Sequence, residues 1–389
     1  MIPVQEALQR IRALITTMPV EDVFLRDSTN RILAHPVAAR RTQPPFAASA
    51  MDGYAVRDVD TAVGATLRVI GESQAGRGYA GDLPPGCAVR IFTGAPVPEG
   101  AERVVIQEDV SRSGDHITIN QTGDGRNIRP AGGDFTEGDR VQPGRITPAR
   151  LALLAAMNVP EVPVYRRPVI GLIATGDELV VPGEVPGPDQ IVSSNIYAVA
   201  AIVEAAGGIA RILPIAPDTT DGLREVLDLA SAADMIVTLG GASVGDHDLV
   251  AQVAGEAGLA LDFYKVAMRP GKPLMAGRLG QAVMIGLPGN PVSAFVCAQI
   301  FLRPALDLML GGNGDALPRT KRPLAEAVGP NGNREHYMRA VRVGEKVRIF
   351  QRQDSALLSV LDAADTLVVR PPNDPPREIG DMVATIHLD

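Results

Sequence analysis

MIVTLGGASVGDHD (235–248) is the stretch that decides how this 389-residue chain is read. Met235 to Leu239 are few and apolar apart from the β-branched Thr238, the pattern of a strand buried on both faces. The run breaks into Gly240-Gly241-Ala242-Ser243-Val244-Gly245, where residues lacking side chains let backbone N–H groups come close to a phosphate. Asp246, His247 and Asp248 close the turn, and the carboxylates there suit a divalent cation. Downstream, Lys265, Arg269 and Lys272 surround a Pro270-Gly271 turn. The chain holds 37 basic residues but only four lysines, so Lys265 and Lys272 depart from its own habit. Lysine is a rotatable point charge where arginine is a planar fork. That departure favours an anion site over two solvated surface cations.

The flanking segments give the stretch its fold. Val169–Ala174 is another short apolar run, ended by Thr175-Gly176-Asp177-Glu178. Ser194 is placed to cap a helix from Ile196 to Ala206, followed by a strand over Ile209–Ile215, and Asp221 to cap a helix reaching Leu229. After the cationic segment come Ala282–Gly286, the turn Leu287-Pro288-Gly289-Asn290-Pro291, and a helix from Val292. Strands alternating with helices predict a mostly parallel sheet with its ligand site at the carboxyl ends of the strands. Thr175–Glu178, Asp218, Gly240–Asp248 and Pro288–Pro291 all fall at such ends, although Asp218 also fits a simple turn.

Toward the amino terminus, Val4, Ala7, Leu8, Ile11, Leu14 and Ile15 have helical spacing, and Thr147-Pro148 opens a second helix. These two helices are expected to pack on each other, with residues 39–140 inserted between them. The insert reads as short strands over Thr66–Gly71, Ala88–Thr93, Arg103–Gln107 and His116–Asn120. It also holds Asp52-Gly53, either an ordinary tight turn or a presented carboxylate. Beyond Pro318 the apolar runs shorten again, predicting a second small β domain. The division expected is a discontinuous helical linker domain (1–38 and 141–166), an inserted β domain (39–140), an α/β domain (167–317) and a C-terminal β-barrel domain (318–389). The fold class is multidomain α/β plus β.

Bulk properties exclude several function classes. A net charge of −8 argues against nucleic acid as a bulk partner, and 4% aromatics without tryptophan argue against a base-stacking platform. Cys87 and Cys297 show no metal-ligand spacing, and a disulfide framework is absent, which fits a reducing compartment. The opening MIPVQEALQR has no basic region before an apolar core. The apolar helix near 294–310 is interrupted by Arg303, Pro304 and Asp307, so no membrane span and a cytoplasmic location are expected. A nucleotide-dependent oxidoreductase lacks its G-x-G-x-x-G turn.

Seven segments carry a family resemblance: SAMDGYAV (49–56), IFTGAPVP (91–98), GGDFTEGD (132–139), ATGDEL (174–179), TLGGASVGDHD (238–248), KVAMRPGKP (265–273) and GLPGNPVSA (286–294). In register and in this order they resemble the molybdopterin molybdenumtransferase family, the MoeA type, which includes the E domain of gephyrin. The resemblance runs from the first helix to the carboxyl terminus. It implies a four-domain homodimer whose central domain has the molybdopterin-binding α/β fold. It also implies insertion of molybdate into adenylylated molybdopterin with Mg²⁺ and release of AMP, in a cleft shared between subunits, and contact with other enzymes of the molybdenum cofactor pathway.

Matched position by position, the resemblance implies functional carboxylates at Asp52, Asp134, Glu178, Asp218 and Asp248. It places the threonine of TGAP at Thr93, lysines at Lys265 and Lys272, and paired prolines at Pro288 and Pro291. Asp52, Glu178, Asp218, Asp248, Lys265 and Lys272 are the expected catalytic set, with Glu178, Asp218 and Asp248 as the Mg²⁺ ligands. Thr93, Asp134, Gly240, Gly241, Ser243, Arg269, Pro288 and Pro291 are the expected substrate contacts. Arg269 stands where the family usually has lysine, keeping charge but not donor geometry. The family's C-terminal serine matches either Ser355 or Ser359. Two other readings share parts of this pattern, the adenylyltransferase of the same pathway and a non-catalytic scaffold. The extra domains disfavour the first, and the retained acids and cations disfavour the second.

Overall fold

The computed structural model describes residues 1–241 and 249–388. The chain divides into two units, one formed by residues 1–21, 30–34 and everything from 164 on, the other by 22–29 and 35–163. Helix α1 (Val4–Leu14) opens the first, larger unit. Its buried Val4, Ala7, Leu8 and Ile11 form one stripe that shares a core with Phe263, Leu274 and Met309 of the α/β sheet and its helices. Arg12, in the last turn, donates to the carbonyls of Asn313 (2.8 Å) and Gly314 (3.1 Å).

The smaller unit is built on a six-stranded sheet of β1 (Gly53–Val56), β2 (Thr66–Ser73), β3 (Cys87–Ile91), β4 (Arg103–Ile106), β5 (Val110–Ser113) and β6 (His116–Ile119), in the order β4-β1-β3-β2-β6-β5. Only the β2–β3 pair is parallel. Because side chains alternate along a strand, β1 feeds two cores. Tyr54 and Val56 pack with Leu67, Ile117 and Ile119 on one face, and Ala55 with Val89, Ile91 and Val104 on the other. β1 is a strand where the sequence suggested only a turn. Helix α2 (Pro148–Ala156) starts as expected: Thr147 Oγ1 accepts from the Arg150 N–H at 3.2 Å and proline fills the first position. Leu154 of α2 is fully buried. The buried stripe of α1 packs into the α/β core, whose members include no residue of α2, which corrects the mutual packing expected of the two helices.

In the larger unit the strand–helix alternation is β7 (Val169–Ala174), α3 (Asn195–Ala205), β8 (Ile209–Ile212), α4 (Thr220–Leu229), β9 (Met235–Leu239), α5 (Leu249–Glu256), β10 (Leu259–Phe263), β11 (Met268–Arg269), β12 (Met275–Leu279), β13 (Ala282–Leu287), α6 (Pro291–Cys297) and α7 (Arg303–Met309). The main sheet runs β8-β7-β9-β13-β12-β10, parallel across its first four strands and antiparallel in the last two. Alternate residues separate two cores: Ile170, Leu172, Val237 and Ile285 face α3, α6 and α7, whereas Ile173, Ile236 and Met284 face α4 and α5. This is a three-layer α/β/α arrangement.

Three local expectations are corrected. Thr219, not Asp221, caps α4, accepting from the Gly222 N–H at 3.2 Å, and the Ser194 side chain makes no capping bond to α3. The helix over Pro291–Met309 is not broken at Pro304. It continues through a π-helical segment, Ala298–Leu302, the wider turn absorbing the N–H that proline lacks. Its length and composition meet those of a membrane span, but 78% of its apolar window is buried inside the core.

The carboxyl-terminal part adds β14 (Thr320–Pro323), β15 (Glu335–Val343), β16 (Lys346–Ile349), α8 (Leu358–Asp362), β17 (Thr366–Arg370) and β18 (Met382–His387). The strands run β16-β15-β17-β18-β14, and the Ala325 N–H donates to the Val347 carbonyl at 2.8 Å, closing β14 back onto β16 as a small barrel. Strand β11 joins the same sheet beside β15, so the cationic segment is tied to this barrel.

Candidate active site

The carboxyl ends of β7, β9 and β13 are zipped together past the strands themselves. Thr175 donates to the Leu239 carbonyl (3.1 Å) and Gly240 to the Leu287 carbonyl (3.2 Å). Above them opens a cavity of about 990 Å³, walled by Thr175, Glu178, Asp218, Gly240, Gly241 and the Pro288–Pro291 turn among others. Four segments remote in sequence therefore converge on one cleft, where a parallel sheet presents ligands. Gly240 (φ 97°) and Gly241 (φ 66°) lie in the left-handed region. A Cβ on Gly240 would stand 2.9 Å from the Thr175 carbonyl oxygen, and one on Gly241 2.2 Å from a Val250 methyl. The turn is glycine because nothing larger fits under it.

The two described acids of the cleft are oriented through backbone. The Asp218 N–H donates to Asp177 Oδ1 at 3.0 Å, and the Glu178 carbonyl accepts from the Ile191 N–H at 2.7 Å. Among the described residues neither the Glu178 nor the Asp218 carboxylate has an ion-pair partner, and both face the cavity. No group of three or more His, Cys, Asp or Glu side chains capable of holding a metal occurs among the described residues. Ser243 and Asp248, with Asp246 and His247, lie outside the described residues.

Other wall residues carried no signal in the sequence reading. Asn195, at the start of α3, donates through Nδ2 to the Gly289 carbonyl and joins two sides of the cleft. Leu179, Ile191 and Val192 make an apolar wall, with Ile191 59% exposed. Ala356 contributes from the loop before α8, and the Ser355 carbonyl accepts from the Val292 N–H in the first turn of α6 at 3.0 Å. That loop is gripped by Arg339, a buried side chain that donates to Gln353 Oε1 and to the Asp354 carbonyl (2.7 Å). Ser355 is half-buried and Ser359 exposed.

The cations stand on the β10–β12 connection and are not on the cavity wall, which this connection reaches at Pro273. Lys265 is half-buried, its ammonium 5.2 Å from the centre of the Tyr264 ring. Lys272 is exposed, and its carbonyl accepts from the Val266 N–H. Arg269 is exposed opposite His336 in the β11–β15 pairing. Burial, then Arg269, Arg334, Arg339 and Arg370, push the His336 pKa down to about 4, so this imidazole is neutral near pH 7.

In the smaller unit, the Asp52 carboxylate accepts from the Thr93 backbone N–H (2.7 Å) and from Thr93 Oγ1 (2.8 Å) through the same oxygen. These bonds hold its pKa below the ordinary carboxylate value, with a further contribution from the nearby Arg90 charge. Asp134 is exposed on a loop fastened by its N–H to the Gln43 carbonyl at 3.1 Å. Asp52 and Thr93 are thus brought together, and Asp134 is placed separately within the same unit.

Comparison with known proteins agrees along the whole length. Residues 2–158 match the MoeA N-terminal region (domain I and II), 171–308 the probable molybdopterin binding domain, and 321–388 the MoeA C-terminal region (domain IV). The chain is 38% identical to molybdopterin molybdenumtransferase 2 of Mycobacterium tuberculosis over 87% of each chain. It is also 38% identical to the molybdopterin molybdenumtransferase of Haemophilus influenzae, over 75% of this chain and 73% of that one. The crystal structure of a molybdopterin biosynthesis MoeA protein from Pyrococcus horikoshii superposes with a TM-score of 0.84 at 28% identity, covering 99% of this chain and 98% of that one. Sequence, fold and the four convergent strand ends place it in one group: the chain belongs to the molybdopterin molybdenumtransferase (MoeA) family.

Proposed function

We infer that this chain is a molybdopterin molybdenumtransferase acting in molybdenum cofactor biosynthesis, and that its reaction inserts molybdate into adenylylated molybdopterin with release of AMP. The observation that carries the reading is the convergence of Glu178, Asp218, the Gly240–Gly241 turn and the Pro288–Pro291 turn on one cleft. A phosphate-linked pterin and a doubly charged oxyanion need fixed donors, cations and a metal to meet. Gly240 and Gly241 supply close backbone approach, and Pro288 and Pro291 shape the wall beside them. Lys265, Arg269 and Lys272 are assigned to the anions at the rim.

Glu178 and Asp218 suit Mg²⁺, which takes one or two carboxylates and leaves its other positions to water and phosphate oxygens. We assign them, with Asp248, to that ion; when bound, it offsets negative charge on the phosphate oxygens. Ser243 is assigned to substrate contact. Of the two candidate serines, Ser355 is favoured because its own carbonyl caps α6 beside the cleft. Asp52, held ionised by Thr93, and Asp134 are assigned to the second half of the site, contributed by the inserted β domain (39–140) of a partner subunit in a homodimer. This reading keeps a four-domain division, a cytoplasmic location and contact with other enzymes of the pathway. The test is AMP release from adenylylated molybdopterin with molybdate and Mg²⁺. A purified chain that binds molybdopterin but releases no AMP under any of these conditions overturns the reaction assigned.

A further inference from the structure

The Asp52 turn is held by more than Thr93. Arg90, on β3, lays its guanidinium between two rings, 5.1 Å from the centre of Tyr54 and 4.7 Å from that of Phe92. Nη1 donates to the Gly53 carbonyl at 3.0 Å and Nη2 to Gln107 Oε1 at 2.7 Å. Gln107 in turn donates its backbone N–H to the Asp52 carbonyl at 3.0 Å. Arg90 thus fixes the Gly53 carbonyl directly and ties down the side chain of the residue whose backbone holds the Asp52 carbonyl, while Thr93 fixes the carboxylate. Among the described residues Arg90 makes no ion pair, so its fork is spent on this turn and on nothing else charged. A lysine would keep the charge but not two directed donors in one plane.

We propose that Arg90 is a positioning residue for the Asp52 carboxylate, a stacked fork that holds the Gly53 carbonyl and the Gln107 side chain on either side of the turn and thereby sets the angle at which the acid is presented. The inference rests on reading Asp52 as an active-site acid. Arg90 acts through the turn and is not assigned any contact with substrate.

The experiment compares the full-length chain with Arg90→Lys, Arg90→Met and Asp52→Asn. Each is measured for AMP release and, with ¹³C-carboxyl aspartate, for the titration of Asp52, whose signal the Asp52→Asn variant identifies. In both Arg90 variants kcat should fall roughly ten- to a hundredfold with KM changed less than about threefold, because orientation and not binding is lost. The Asp52 midpoint should move up in Arg90→Met, where the neighbouring charge is gone, and its chemical shift should change in both variants. The lysine variant, which keeps the charge, decides the matter alone where the methionine variant fails to fold. Wild-type kcat and an unmoved Asp52 signal in a folded Arg90→Lys chain, with Asp52→Asn inactive, overturn the positioning role. A fully active Asp52→Asn overturns the assignment of Asp52 itself, and with it this inference.

Discussion

At the scale of single residues, the structure separates groups that act by charge from groups that act by shape. Glu178 faces the cleft with no ion-pair partner among the described residues, so its carboxylate contributes little to holding the fold. Glu178→Gln keeps the shape and removes the charge. It should leave the melting temperature within about a degree or two while AMP release collapses and is not restored by excess substrate. A stable and fully active variant would remove Glu178 from the site. His336 makes the opposite case. Its folded pKa of about 4 lies below the ordinary 6.5, so the unfolded chain binds the extra proton. Stability from this residue is complete above pH 6.5 and is lost as pH falls toward 4. At about 1.36 kcal/mol per unit the loss is capped near 3 kcal/mol. Urea unfolding at pH 7 and pH 4.5 should show a smaller pH-dependent loss for His336→Gln than for the parent chain. An equal loss in both would show that His336 is not the group being charged.

At the scale of elements, β1 (Gly53–Val56) is the instructive strand. All four residues are buried, and Gly53 lies so close to β4 that a Cβ would stand 2.0 Å from the Val105 carbonyl oxygen. Gly53→Ala should therefore push β1 off β4 at a cost on the order of 2–4 kcal/mol, read as a lower urea midpoint. A change below about 0.5 kcal/mol would mean the sheet absorbs the methyl. The same glycine explains why this strand was invisible beforehand. Asp-Gly is a turn signal by local rules, whereas here glycine marks the close approach of another backbone, which only the partner strand reveals. The α/β strands β7, β9 and β13 were legible because parallel strands buried on both faces are continuous apolar runs. Strand β10, whose burial alternates poorly, and the two-residue β11 carry no such signature. The glycine turn, both prolines and the two described acids of the cleft were legible as strand-end residues. Asn195, Arg90 and Arg339 were not, because each works through a bond to a carbonyl or an amide far away in sequence. The mutual packing expected of α1 and α2 failed for a related reason. An amphipathic stripe states that a helix is covered and says nothing of what covers it.

At the scale of the whole molecule, the proposed site draws on acids from both units, and the proposed homodimer gives this a distinctive consequence. In that proposed dimer, two-fold symmetry would form two identical sites, each from the inserted β domain of one subunit and the α/β domain of its partner. An Asp52→Asn chain and a Glu178→Gln chain should each be inactive as a homodimer, since every site would carry one defect. In a heterodimer of the two, both defects fall in the same site and the other site is wholly wild type. Random exchange makes half of the dimers heterodimers, each with one good site, so mixing should restore about a quarter of wild-type AMP release. Exchange is monitored separately with two affinity tags, and the recovered activity should rise with the fraction of doubly tagged dimer. Demonstrated exchange without recovery would mean that Asp52 and Glu178 serve one site within a single subunit. Activity that returns in a strictly monomeric preparation would remove the dimer from the mechanism altogether.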